Sequence, residues 1–412
     1  MAATATIITI GDELLIGQTI DTNSAWMGQE LNKIGVRIYQ RIAVGDDAAQ
    51  ITDALKRAAA VSSIVLITGG LGPTKDDITK KTIAEYFGVG FVFYEEVWGK
   101  MKTIFEKRGK EVLEMNRGQA MLPANALMLP NARGTAQGMW FDEAGIVYVS
   151  MPGVPHEMKH LMEQVIPKLQ QRFKLPRIVH ATVMTAGAGE SSIAAMLDNF
   201  ENELPKHIKL AYLPDLGVLK LRLSAYSEAN GEEVNRQMQQ LKSILKGYVY
   251  CDGEASLQEV VGNMLLKENA TLATAESCTG GYLAHLITAV PGSSAYYLGS
   301  IVSYHNSLKT NLLFVPTETL SQHGAVSEAT VIEMVKGALR QTGATYAVAT
   351  SGVAGPTGGT PEKPVGTVCF AVGSKDRIVS RKLHFFSSRM ENIKVSANTA
   401  LNLLRKFMLN EI

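Results

Sequence analysis

TLATAESCTGGYLAHLIT, residues 271–288, decides how the chain is read. A short β-forming run ends at Glu276, and a Ser-Cys-Thr-Gly-Gly turn follows. Leu283, Leu286, Ile287 and Val290 then recur at the spacing of one helix face. Strand, glycine turn and helix make half of a βαβ unit, with Ser277 at the turn and its Oγ presented at the C-terminal edge of the sheet. Such a position suits a nucleophile. Gly280 and Gly281 permit a tight turn, and N–H groups near them could receive an oxyanion. The spacing is not GxSxG, so an α/β-hydrolase is not implied. A capped turn with Ser277 or Thr279 as N-cap accounts for the same residues.

A hydroxyl nucleophile needs a base, and no histidine stands in an evident partner motif. His323, in SQHGAVSEA, reads as a loop or cap residue. SIVSYHNSLK (300–309) offers Tyr304 and Lys309 just after a strand. A buried lysine with a lowered pKa can deprotonate serine, although alone Tyr304 reads as core and Lys309 as surface. TSGVAGPTGGTPEKPVGTVCFAV (350–372) is a strand, a long Gly/Pro loop and a returning strand, a pattern that suits a ligand rim. FFSSRMEN (385–392) sets Arg389 at a helix start beside two serines, a natural phosphate site or a plain surface ion pair.

Working outward, strands and helices alternate. TATIITI (4–10), VRIYQRIAV (36–44) and SIVLIT (63–68) read as strands. Helices are expected at SAWMGQELNKIG (24–35) and near 47–60. The alternation predicts parallel βαβ units in a doubly wound sheet, and it runs to about Leu169. The texture changes near Pro176. ATVMTAGAGESSIAAML (181–197), the alternating GVLKLRLSAYS (217–227) and the amphipathic GEEVNRQMQQLKSILKG (231–247) fit a small α+β unit. CDGEAS (251–256) reads as a linker, and the second α/β unit runs from there to the end with a last helix from about 389. The expected domains are 1–170, 171–250 and 251–412.

LITGGLGPTKDDIT (66–79) is a buried strand ending in Thr68-Gly69-Gly70, then a polar loop, then a helix starting near Asp76-Asp77. Glycine-turn N–H groups suit a phosphate or pyrophosphate, and carboxylates in the loop suit a hard divalent ion such as Mg²⁺. It is neither a P-loop nor GxGxxG, and a turn with an Asp N-cap reads equally well. PHEMKH (155–160) fits HExxH literally. His156 would stand on a frayed first turn and no third ligand is evident, so surface histidines are preferred, with Glu157 facing the N-terminal cleft. TAGAGESS (185–192) reads as a turn with a Glu/Ser-capped helix rather than a nucleotide loop.

The composition narrows the function classes. The 412 residues suit two or three domains, and 46% hydrophobic with 19% charged residues excludes a disordered chain. Forty basic against 39 acidic side chains leave a net charge of +1, which disfavours generic nucleic-acid or anionic-membrane binding. Cys251, Cys278 and Cys369 lack CxxC spacing and read as reduced thiols of a cytoplasmic protein. No apolar run reaches the roughly 18 residues of a membrane span, and the N-terminus lacks a basic leader.

AESCTGG, the Tyr304/Lys309 segment, the SGVAGPTGG loop and SSR together resemble the C-terminal domain of CinA proteins, a nicotinamide mononucleotide (NMN) deamidase. The 66–79 loop, GDELLIG (11–17) and VSMPGVPHEM (149–158) resemble the molybdopterin-binding fold, with Gly70-Leu71-Gly72 as in its CinA branch. The middle segment is similar to the K-homology-like insert of the same proteins, without a GxxG loop or basic surround. The resemblance implies Ser277 as nucleophile, Lys309 and Tyr304 as its activating partners, and Ser351, Gly352 and Arg389 around the substrate. It further implies a metal-dependent ADP-ribose pyrophosphatase in the N-terminal domain, with Thr68, Gly69 and Gly70 near the substrate and Asp12 and Asp77 at a divalent metal. No cofactor is expected for the deamidase. The partners expected are small nucleotides and a second copy of the chain, as a homodimer. A non-catalytic competence or DNA-damage protein and a molybdopterin-processing enzyme remain alternatives.

Overall fold

The computed structural model describes residues 3–74, 77–107, 109, 114–175, 178–225 and 230–412. They form two compact units, one reaching to Val179 and the other comprising His180–Ala225 and Gly231–Ile412. The folds are the expected mixed α/β ones, with a small α+β part between two α/β parts.

In the first unit the strands are β1 (Thr4–Ile10), β2 (Arg37–Val44), β3 (Ile64–Thr68), β4 (Phe91–Phe93), β5 (Met121–Pro123), β6 (Leu127–Leu129), β7 (Gly138–Glu143) and β8 (Ile146–Met151). The helices are α1 (Asp12–Leu15), α2 (Thr22–Lys33), α3 (Ala48–Val61), α4 (Thr79–Phe87), α5 (Glu95–Lys107) and α6 (Pro155–Arg172). The main sheet has the order β2-β1-β3-β8-β7-β6. β2, β1, β3 and β8 are parallel, and β7 returns antiparallel. β3 is buried along its whole length because both faces of the sheet are covered. Ile7, Ile64 and Leu66 pack on Met27 and Leu31 of α2 and Leu161 of α6. Ile8, Val65 and Ile67 face the other way, onto Ile51 and Leu55 of α3 and Ile83 of α4.

In the second unit β9 (Val179–Ala186), α7 (Glu190–Asn202), β10 (Ile208–Asp215), β11 (Val218–Ala225), α8 (Gly231–Ile244) and β12 (Val249–Asp252) build the middle part. Its sheet runs β10-β11-β9-β12. The expected linker therefore begins inside a strand, since Cys251 and Asp252 belong to β12 and pair with β9. α7 starts after Gly189 without a side-chain cap, not under the Glu/Ser cap expected. Pro176, where the texture was expected to change, and Asp76 lie outside the described residues.

The rest comprises α9 (Leu257–Lys267), β13 (Leu272–Glu276), α10 (Tyr282–Thr288), β14 (Tyr297–Val302), α11 (Asn306–Leu313), α12 (Thr317–His323), α13 (Glu328–Thr342), β15 (Tyr346–Gly352), β16 (Thr367–Gly373), β17 (Ile378–His384) and α14 (Arg389–Met408). The sheet order is β14-β13-β15-β16-β17, parallel across the first three strands and antiparallel beyond. Val348, Phe370 and Val372 pack under α9, α10 and α14 through Val261, Leu283 and Leu401. Ala347, Ala349 and Ala371 pack under α13 through Val331, Met334 and Val335. The β10–β11 turn docks on α14, where Asn398 Nδ2 donates to Leu216 O at 2.6 Å.

The turn after β13 is organised by Glu276, which is 0% exposed. Its Oε2 accepts from Thr279 Oγ1 (2.7 Å) and from the N–H groups of Gly281 (3.0 Å) and Leu283 (3.1 Å). Its Oε1 accepts from the Ala284 N–H (2.9 Å) and Ser300 Oγ (3.1 Å). A carboxylate thus satisfies the open N–H groups of α10 and complements its dipole. Neither Ser277 nor Thr279 caps the helix; Gly281 occupies the N-cap position at φ 95°. Glu276→Gln puts a donor where acceptors are needed, and urea unfolding is expected to report a loss of roughly 3 kcal/mol. An unchanged midpoint would refute this account of the turn.

Candidate active site

Ser277 begins where β13 ends, stitched to both neighbouring strands. Its N–H donates to Thr350 O (2.9 Å), and the Ser303 N–H donates to Glu276 O (2.8 Å). β14 leads through Ser303 into α11, which carries Lys309 back over the turn. Lys309 is 1% exposed. Its Nζ donates to Ser277 Oγ at 3.0 Å and to Ser303 O at 2.8 Å. Burial lowers its pKa from the ordinary lysine value, which favours the neutral amine a base requires. The adjacent Cys278 is buried, and burial pushes its thiol up to about 12.

These groups floor a cleft of about 270 Å³ that also takes in Ser351, Gly352, Gly355, Thr357 and Arg389. The long Gly/Pro loop forms its rim, as its length led us to expect. Arg389 Nη1 donates to Gly355 O (2.7 Å) and its Nη2 to the Tyr304 hydroxyl (3.0 Å). Ser351 Oγ donates to Ala325 O at 2.7 Å.

Two expectations change here. Tyr304, expected to help activate Ser277, is 59% exposed and hydrogen-bonds Arg389 at the rim instead. Gly280 and Gly281 cannot donate to an oxyanion, because their N–H groups bond Ser277 O and Glu276 Oε2. The Cys278 N–H, next to Ser277 in the cleft, bonds no oxygen of the described residues.

The first unit carries a larger cleft, about 520 Å³, at the C-terminal ends of its parallel strands. Glu13, Asp46, Asp77 and Glu157 line it, one from the segment that follows each of β1, β2, β3 and β8. Gly69 and Gly70 form its floor. Gly69 has φ 116°, and a Cβ there would lie 2.1 Å from Ile10 O. Asp77 Oδ2 accepts from the Thr74 N–H (2.8 Å) and hydroxyl. α4 begins at Thr79 with Ile78 before it, so Asp77 is not its cap. Burial, and then the charges of Asp12, Glu13 and Asp77, raise the Asp46 pKa.

Asp12, expected at the metal, is not in the lining. Its Oδ1 accepts from the Asp46 N–H (3.3 Å) and its own N–H donates to Asp46 Oδ2 (3.2 Å), so it braces Asp46. Thr68 also lies aside, donating to Pro152 O (2.9 Å) and lining a smaller adjoining pocket. The donors fit the divalent ion that the resemblance implies: the described lining has four carboxylates and no Lys or Arg. Among the described residues no three His, Cys, Asp or Glu side chains converge on one point. One or two carboxylates with water and substrate phosphates is the usual holding of Mg²⁺.

Three family models match in tandem: a probable molybdopterin binding domain over residues 6–171, the KH domain of damage-inducible protein CinA over 180–251, and the CinA C-terminal domain over 254–408. A CinA-like protein of Cytophaga hutchinsonii is 47% identical over 98% of this chain and 97% of its own length. The chain belongs to the CinA family. A second CinA-like protein, from Flavobacterium psychrophilum, is 40% identical over 98% of each chain. The solved competence/damage inducible protein CihA of Agrobacterium tumefaciens is 36% identical over 37% of this chain and 95% of its own, with a TM-score of 0.35.

In this CinA-family chain the HExxH letters lie in α6 and belong to no metal-holding group of three among the described residues. His160 Nδ1 pairs with Glu163 (3.2 Å), while Glu157 reaches the cleft. No described helix is long and apolar enough to cross a membrane. Sequence reasoning missed Glu276, Asp46 and Glu13. The signal for Glu276 was an acid closing an otherwise apolar strand ahead of two glycines. For Asp46 it was an acid just past the end of β2, at the edge of the sheet where the segment after β3 brings Asp77.

The lowered Lys309 pKa fixes the sign of a pH effect. Between its folded value and the unfolded 10.5, the unfolded chain binds more protons, so stability rises with pH in that window. Urea unfolding across pH 7–10.5 is expected to give a stability difference, wild type minus Lys309→Met, that grows with pH, while the rise due to Lys80, whose pKa burial lowers to about 8, is common to both. Parallel curves would show that Lys309 is not desolvated.

Proposed function

We propose that this CinA-family chain is a hydrolase of two nucleotide bonds: the carboxamide of NMN in the C-terminal cleft, and the pyrophosphate of ADP-ribose in the N-terminal one. The observation that carries the first is the buried Lys309 Nζ within 3.0 Å of Ser277 Oγ. Ser277 Oγ attacks the amide carbon as Lys309 takes its proton, the Cys278 N–H serving the oxyanion. The Ser303 carbonyl holds the ammonium of Lys309 in place. Lys309 then protonates the departing nitrogen, the C–N bond breaks and ammonia leaves. Water, deprotonated by the same amine, opens the ester to give nicotinate mononucleotide. Arg389 and the Gly/Pro rim take the 5′-phosphate, a bidentate fit for guanidinium.

The acidic lining supports the second activity. Asp77, with Asp46 or Glu13 as a second carboxylate, would hold a divalent cation, which would supply charge neutralisation for the diphosphate. The N-terminal cleft has nearly twice the volume of the other, about 520 against 270 Å³, as ADP-ribose, a nucleoside diphosphate carrying a second ribose, needs against a mononucleotide.

Ser277→Ala is expected to lower NMN deamidation by ~10³-fold or more, while Cys278→Ala and thiol alkylation leave most of it. Cys278 lacks a histidine partner and at about 12 stays a thiol. The opposite pattern in an ammonia-release assay would overturn the assignment, and no release from wild type would favour a binding protein.

Asp77→Asn should abolish ADP-ribose turnover and spare NMN deamidation, because the two clefts lie in different units. Full ADP-ribose turnover in this variant, or in the wild type with excess chelator, would refute the metal-dependent reading.

A further inference from the structure

One of the four carboxylates in the N-terminal cleft is built in differently from the rest. Asp46, Glu13 and Asp77 follow the three adjacent strands β2, β1 and β3. Glu157 comes from the first turn of α6, beyond β8, at the far end of that row. Its Oε2 accepts from Asn131 Nδ2 at 2.6 Å, and its Oε1 accepts no hydrogen bond from the described residues.

Asn131 is held firmly. Its Nδ2 also donates to Ala136 O (2.8 Å), and its Oδ1 accepts from the Arg133 N–H (2.9 Å). Its own N–H donates to Gln137 Oε1 (2.9 Å). Both amide hydrogens face acceptors, so the reversed amide would set an oxygen against a carboxylate and a carbonyl. Room for Glu157 is left by Gly134, where a Cβ would lie 1.8 Å from Glu157 Oε2. The stretch between β6 and β7 and the first turn of α6 thus cooperate to fix one carboxylate with one oxygen free.

We infer that Glu157 is the base that takes the proton of the attacking water in the N-terminal cleft, and that Asn131 positions it. The inference rests on reading that cleft as a phosphoanhydride hydrolase. The water oxygen bonds to phosphorus, the bridging P–O bond breaks, and the bridging oxygen leaves on the other phosphate. The water proton passes to Glu157 Oε1 and then to solvent, so ADP-ribose and water give AMP and ribose 5-phosphate. A carboxylate anchored by one oxygen keeps its second lone-pair set directed at the water, as a general base must.

The test uses the full chain with Mg²⁺. It measures steady-state ADP-ribose hydrolysis and calorimetric binding of the non-hydrolysable α,β-methylene analogue of ADP-ribose. Glu157→Gln is expected to lower kcat by roughly 10²-fold or more while analogue affinity stays within about threefold of wild type. Asn131→Ala should lower kcat by about tenfold to a hundredfold with KM and analogue binding unmoved. Retained analogue binding also shows that the variants fold. A Glu157→Gln variant that keeps wild-type kcat, or that loses analogue binding in step with activity, would overturn the role of base. A wild-type chain that leaves ADP-ribose intact would overturn the reading of the cleft and this inference with it.

Discussion

The fully buried Glu276 carboxylate is the constraint around which the C-terminal site is built. A lone charge in that environment would be severely unfavourable. Five donors from the α10 start, Thr279 and Ser300 make it tenable, and each of them fixes part of the backbone. With Gly281 and Ala284 tied to the end of β13, the intervening turn has little freedom. Ser277 is then held by the strands on either side, and Lys309 meets it from the next strand's helix. The N–H groups of the two glycines are consumed in building the turn, while the N–H of the residue after the serine bonds no oxygen of the described residues.

Much of this was legible in the letters. The β13–turn–α10 unit, the alternation of the N-terminal strands and helices, and the position of Lys309 just past a strand all follow from local patterning. Partners distant in sequence were not legible. Tyr304 meets Arg389 across 85 positions, and that contact depends on how the Gly/Pro loop folds back. Asp12 and Glu13 are neighbours, and periodicity cannot say which one faces the cleft. The backbone of the 44–46 turn decides it, capturing Asp12 in exchanged hydrogen bonds with Asp46. The cap of α10 was misread because a side chain in the preceding strand reaches forward to do the work usually given to the N-cap itself.

Both clefts lie where parallel strands end, and both assemble their groups by taking them from neighbouring strand ends. Adjacent strands are about 4.8 Å apart, so the residues just past them meet without long loops. In the first unit this yields a row of carboxylates; in the second it yields a hydroxyl and an amine. The same arrangement of parallel strands therefore supports a cleft lined by carboxylates and one that pairs a hydroxyl with an amine beside an arginine, the difference residing in the residues that follow each strand.

α14 has a consequence for how this chain can vary. Arg389 at its first turn reaches Gly355 and Tyr304, while Asn398 grips the β10–β11 turn. Nine residues separate them, about two and a half turns, so the two contacts face nearly opposite directions. Inserting or deleting one residue between them would rotate one anchor by about 100° against the other. The helix can drift in composition along its exposed side, but its length between these points is locked, and the middle part acts as a gauge of that length.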